Sequence, residues 1–139
     1  MTPLLRGPAY GPAMSSDPRR DRGAVGERIA AEHLEHRGYR IVARNYRTRY
    51  GELDLVAADD RALVFCEVKT RVVTGSSGPA LPFDAIGPLK RRRLRMLATQ
   101  WLAATEDRPR RDQLRFDAIG VTLAATGRLL ALEHLEGAF

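Results

Sequence analysis

Between Gly51 and Val73 the chain reads GELDLVAADDRALVFCEVKTRVV, two strand-like runs (Gly51 to Ala58 and Ala62 to Val73) joined by Asp59-Asp60-Arg61. A connection this short forces the runs into an antiparallel hairpin. Successive strand side chains alternate, so Val64, Cys66 and Val68 face one way while Leu63, Phe65, Glu67, Lys69 and Arg71 face the other. The second face is apolar where it begins and charged where it ends. In the first run the same alternation sets Leu53 and Leu55 on one side and Glu52 and Asp54 on the other. The hairpin is therefore expected to bring Asp54 and Glu67 to one face, beside Lys69.

The flanking sequence supplies what such a hairpin needs for burial. Val25, Ile29, Ala30, Ala31 and Leu34 recur at helical spacing from Arg22 to Arg37, with Gly38 as a stop. A strand is expected over Tyr39 to Arg47, then the hairpin, then a Gly/Ser/Pro loop over Thr74 to Pro82. A second helix runs from Pro88 to Ala104 with Leu94, Leu97 and Trp101 on one stripe. Strands follow over Arg115 to Leu123 and Leu129 to Leu135. The order αβββαββ predicts an α/β domain with a mixed sheet flanked by helices. At 139 residues one core is expected, spanning 22–139. Residues 1–21 hold Pro3, Pro8, Pro12 and Pro18 and read as a flexible basic arm. No apolar run approaches the roughly 20 residues of a membrane span, nor is there an apolar secretory leader, so a cytoplasmic protein is expected.

The residue types narrow the chemistry. Cys66 stands alone and has valines as its face neighbours, which suits packing and excludes a cysteine-based zinc cluster. His33 and His36 read as a partly exposed helical pair with no third soft ligand nearby. A metal, if held, is a hard cation on carboxylates, Mg²⁺ or Mn²⁺. Glu27 falls at the edge of the first helix's apolar stripe, where a carboxylate needs a partner or an ion. The 23 Lys and Arg outnumber the 17 Asp and Glu, giving +6. Lys90, Arg91, Arg92, Arg93 and Arg95 crowd the start of the second helix, opposing its dipole, as a phosphate-binding surface would require.

Two carboxylates and a lysine converging on a sheet edge can hold a divalent ion and act on a phosphodiester. Lys69 could orient or deprotonate water, or neutralise developing charge, and the residues leave those roles open. Glu27 could add a hydrogen bond or a second metal position. A cross-strand salt bridge would explain Glu67-Val68-Lys69 taken alone, but Asp54 before the hairpin, Glu27 upstream and the basic helix downstream make the constellation specific. Arg115 and Asp117 read as a structural ion pair.

GERIAAEHLEHRGYRIVARNYRTRYGELDLVAADDRALVFCEVKTR, then the Lys90 helix, RFDAIGV and EHLEGAF, closely resembles the YraN-type bacterial family from about Gly23 to Phe139. That family is similar in its core to archaeal Holliday-junction resolvases and other PD-(D/E)XK nucleases. The resemblance implies a restriction-endonuclease-like fold, with metal on Asp54, Glu67 and the Val68 carbonyl, Lys69 as the motif lysine, and Glu27 as the helix glutamate. The motif's proline is Leu53 here. It further implies a DNA endonuclease acting on branched or damaged structures, as a homodimer, with Lys90, Arg91, Arg93 and Arg71 on the nucleic acid. The alternative is a binding module of the same fold without turnover.

Overall fold

The computed structural model describes residues 18–74 and 87–139, with side chains from Asp21 onward. The arm over 1–17 and the Gly/Ser/Pro loop from residue 75 lie outside the described residues. Helix α1 spans Pro18–His36, beginning four residues before the expected Arg22. Proline is tolerated in a first helical turn, where its missing N–H would have no acceptor. The helix stops at Gly38, whose φ of +94° is open to glycine, and the Tyr39 N–H closes back on the Leu34 carbonyl at 3.0 Å.

Strands β1 (Arg40–Thr48), β2 (Gly51–Ala58) and β3 (Ala62–Val73) form an antiparallel meander. Helix α2 (Pro88–Ala104) then carries the chain to β4 (Gln113–Ala124), which pairs parallel to β3. A parallel neighbour cannot be reached by a tight turn, so the helix is the required crossover. Strand β5 (Leu129–Leu135) returns antiparallel to β4 and completes a mixed five-stranded sheet in the order β1-β2-β3-β4-β5.

Each face of the sheet is covered by one helix. On one side Ala30, Ala31 and Leu34 of α1 pack with Leu55, Ala57, Val64, Cys66, Val68, Ile119 and Val121. On the other, Leu94, Leu97, Ala98 and Trp101 of α2 pack with Leu53, Val56, Ala58, Leu63 and Phe65. Burial of both faces explains the near-continuous apolar run of β3. Among the described residues no helix is long and apolar enough to cross a membrane.

One expectation from the sequence is corrected. Leu53 and Leu55 do not share a side: Leu53 joins the α2 core and Leu55 the α1 core. Strict alternation fails between them because β2 parts from β3 there, the last paired residues being Leu55 and Cys66. His33 and His36 are the partly exposed helical residues expected, half-buried and exposed respectively, and His33 has a partner outside the helix. The His33 Nε2 lies 3.0 Å from His134 Nδ1, and His134 Nε2 lies 2.7 Å from the Asp117 carboxylate. Asp117 is fully buried and also accepts from both Arg115 Nε at 2.8 Å and the Gly137 N–H. Arg115 reaches on to the Tyr39 hydroxyl at 2.6 Å. The expected ion pair is thus the centre of a network joining α1, β4 and β5.

Candidate functional site

The separation of β2 from β3 creates the site. Continued pairing would place Asp54 opposite Glu67, but the ladder ends one step short. The Val68 N–H, without a β2 carbonyl to bond, donates instead to Asp54 Oδ2 at 2.7 Å. That bond locks a carboxylate in the gap between the strands, with Asp54 only 8% exposed.

Glu27 and Glu52 complete an acidic cluster: Glu27, Glu52 and Asp54 each bring an oxygen within 4.8 Å of the others, a set able to hold a metal ion. Helix α1 reaches the sheet closely because residue 26 is glycine. A Cβ there would stand 1.8 Å from Thr70 Oγ1, so any larger residue would push Glu27 away. From β1, Asn45 donates its side-chain amide to Glu27 at 2.7 Å and to Glu52 at 2.9 Å. Asn45 takes a left-handed φ of +51°, a conformation asparagine tolerates better than most residues. Arg47 Nε adds a bond to Glu52 at 3.2 Å.

The cluster strains against its own charge. Burial, and then the negative field of Glu67, push the Asp54 carboxyl up to about 9; the Val68 N–H pulls the other way, and Glu27 and Glu52 raise it further. Burial likewise raises Glu27, opposed by the Asn45 amide and reinforced by Glu52. Oxygen-only donors crowded at this density are the hard ligand set that Mg²⁺ or Mn²⁺ prefers.

Glu67 is buried on the α2 side of this gap, and its carboxylate is held 2.7 Å from the Lys90 ammonium. Lys69 follows on β3, half-buried and close to Lys90, and forms no salt bridge among the described residues. Asp54 thus meets the Val68 backbone and feels the field of Glu67, but Glu67 stands outside the Glu27–Glu52–Asp54 cluster and is bonded to Lys90, so the expected metal pair of Asp54 and Glu67 is replaced by Asp54 with Glu27 and Glu52.

The basic residues expected on a nucleic acid fall in several settings. Lys90, in the first turn of α2, is engaged with Glu67 at mid-β3 and keeps about a third of its side chain, 34%, exposed. Arg91 is exposed, Arg93 lines a groove with Arg92, and Arg95 lies over the Phe116 ring, 5.2 Å from its centroid. Arg71 is half-buried, with its Nε finding no partner among the described residues. Sequence reasoning missed Glu52 and Asn45 as site residues. Glu52 was recognisable from standing two positions before Asp54, whereas nothing local marks Asn45.

Comparison with known proteins gives one consistent result. The model of the family described as "Uncharacterised protein family UPF0102" matches residues 26–121. A UPF0102 protein of Mycolicibacterium gilvum is 45% identical over 124 residues, covering 88% of this chain and 96% of the relative. Those of Nocardia farcinica and Mycobacterium avium are 46% and 48% identical over 117 residues, each covered to 87%. The matched span contains the acidic cluster, Glu67, Lys69 and Lys90.

Proposed function

The chain belongs to the UPF0102 family, and within that frame we propose that it is a metal-dependent endonuclease of restriction-endonuclease-like fold that hydrolyses DNA phosphodiester bonds. One observation carries the reading: a buried aspartate, tethered by a backbone N–H, stands between two glutamates on one side and a third glutamate with two lysines on the other. Mixed-sheet order, with the acid-bearing hairpin at its centre and a parallel strand beside it, supports the same fold.

Asp54, Glu27 and Glu52 would hold Mg²⁺ or Mn²⁺, with Glu67 and the Val68 carbonyl at its margin. Bound there, such an ion polarises a phosphate and acidifies a coordinated water. The chain's own groups supply the rest. Val68 N–H fixes the Asp54 carboxylate in one orientation. Asn45 holds the two glutamates at a set separation by spending both amide hydrogens on them. Lys69, which forms no salt bridge among the described residues, would turn to a phosphate oxygen or an attacking water. Lys90, held on Glu67 here, would be the nearest ammonium to a phosphate brought to that carboxylate.

The test is cleavage of a panel of duplex, flap, junction and single-stranded DNA in Mg²⁺ and Mn²⁺. Asp54→Asn and Lys69→Ala are expected to abolish scission while retaining binding. Scission that survives both changes removes the assignment. A second reading, a nucleic-acid-binding module without turnover, is favoured by one contact: Lys90 already neutralises Glu67 from within the chain. It predicts binding independent of divalent metal and no scission of any substrate.

A further inference from the structure

Strand β1 turns into β2 through Thr48, Arg49, Tyr50 and Gly51. The Tyr50 N–H bonds Thr48 Oγ1 at 3.0 Å, and Arg49 both donates to the Tyr50 hydroxyl at 2.6 Å and lies over the ring at 4.8 Å. Gly51, at φ +141°, lets this turn settle on α2, since a Cβ there would stand 3.3 Å from Arg93 Cδ and 3.4 Å from Leu97 Cδ1. Between turn and helix opens a groove of about 740 Å³, lined by Arg49, Tyr50, Gly51, Arg92, Arg93 and Met96.

The lining has a particular chemistry. It contains three guanidinium groups and no carboxylate, and among the described residues Arg92 and Arg93 form no salt bridge. Such crowding is repulsive until an anion enters. Between the arginines lie Tyr50, a residue 43% exposed with Arg49 over one face of its ring, and Met96, 38% exposed. A simple anion would use only the arginines, and an apolar ligand only the ring and thioether. A nucleotide with an unpaired base uses both, through its phosphate on the guanidinium groups and its base on the ring. Intact duplex keeps its bases stacked inside and leaves Tyr50 without a partner.

We propose that this groove binds an unpaired nucleotide of a DNA strand, phosphate on Arg92 and Arg93, base against Tyr50 and Met96. Its place relative to a cleaved bond rests on the nuclease reading above. Gly51 immediately precedes Glu52 of the acidic cluster, and Arg93 stands three residues, about 4.5 Å of helix rise, beyond Lys90 on α2. An unpaired nucleotide held here lies next to the acidic site, which selects strands that are frayed, branched or single.

Fluorescence anisotropy in EDTA, with labelled single-stranded, forked and blunt duplex DNA, tests the groove without requiring catalysis. The parent chain is expected to bind the single strand and fork more tightly than the blunt duplex. Tyr50→Ala should weaken the first two at least about tenfold and the blunt duplex by less than about twofold, the signature of lost base stacking. Tyr50→Phe should bind like the parent. Arg92→Ala with Arg93→Ala should weaken all three and flatten the salt dependence. Equal losses on all substrates for Tyr50→Ala, or none, overturn the proposal. Cleavage assayed in parallel separates the two claims: a Tyr50 effect without scission sinks the nuclease and keeps the groove, and scission without a Tyr50 effect does the reverse.

Discussion

The Lys90 ammonium lies 2.7 Å from a Glu67 carboxylate oxygen, so the first turn of α2 closes one side of the acidic gap with a charge from the chain itself. Burial works against the charge on Lys90, but its bond to Glu67 and the fields of Glu67 and Asp54 outweigh this and raise its pKa. On the proposed function, a divalent ion held by the cluster would compete with this lysine for the same field. Lys90→Met is expected to lower stability in EDTA by about 1–3 kcal/mol, less than for a fully buried pair because the lysine side chain is 34% exposed. Added Mn²⁺ should then raise Tm more in Lys90→Met than in the parent chain. Calorimetry with and without the ion checks this, and equal gains would refute the competition.

Glu52 shares the cluster with Glu27 and Asp54 while remaining bonded to Asn45 and Arg47. Glu52→Gln keeps the shape and removes one anionic oxygen. Mn²⁺ affinity measured by calorimetric titration is expected to fall by about tenfold, the scale of one lost charge-assisted contact. Glu106→Gln, at an exposed position, should leave it unchanged. An unaltered affinity in Glu52→Gln would mean the ion does not use this cluster.

Gly26→Ala puts a methyl group 1.8 Å from Thr70 Oγ1 and forces α1 away from β3. Overpacking of this kind costs about 1–3 kcal/mol. Because Glu27 is the next residue, the displacement should also weaken Mn²⁺ binding, an effect that a purely structural defect elsewhere would not produce. Thr70→Ala in the same chain should restore part of both, as read by denaturant unfolding and titration.

The network around Asp117 predicts acid sensitivity with a definite sign. Burial raises Asp117, but hydrogen bonds from His134, Arg115 and Gly137 outweigh it and hold the carboxyl below its ordinary value of 3.8. Its contribution is complete above about pH 4 and is lost as pH falls through the lower folded value. His33 is held below 6.5 by burial, then by His134, Arg37 and His36, so the unfolded chain takes up this proton first. Stability is therefore lost as pH drops below about 6.5. His33→Gln keeps a donor toward His134 and cannot titrate. Its Tm should equal the parent's near pH 8 and exceed it near pH 5; parallel curves across that range would contradict the assignment.

Much of the architecture was legible locally. The bounds of β2, β3, α2 and β5 follow from alternation, helical spacing and the Asp59 turn, because those signals depend on neighbours a few residues apart. The same signals put Asp54 on β2 and Glu67 and Lys69 on β3, but the expected sheet edge is the middle of the sheet, since β1 and β4 flank that hairpin. Alternation could not reveal that Leu53 and Leu55 enter different cores, since that depends on where β2 leaves β3. Nor could it distinguish among the basic residues of α2. Lys90 turns to Glu67, Arg95 to Phe116, and Arg92 and Arg93 to the groove, by the angle at which the helix crosses the sheet.

Taken alone, the order of residues determined the elements, their sequence along the chain and the antiparallel hairpin of β2 and β3 that carries Asp54 and Glu67. These rest on backbone periodicity and turn length, which act over short stretches. Tertiary structure alone decided that Asn45 bridges Glu27 to Glu52, that His33 joins His134 and Asp117, and that Tyr50 faces Arg92 and Arg93. Those contacts join segments that no local pattern couples, and they exist only once two helices have covered opposite faces of one sheet.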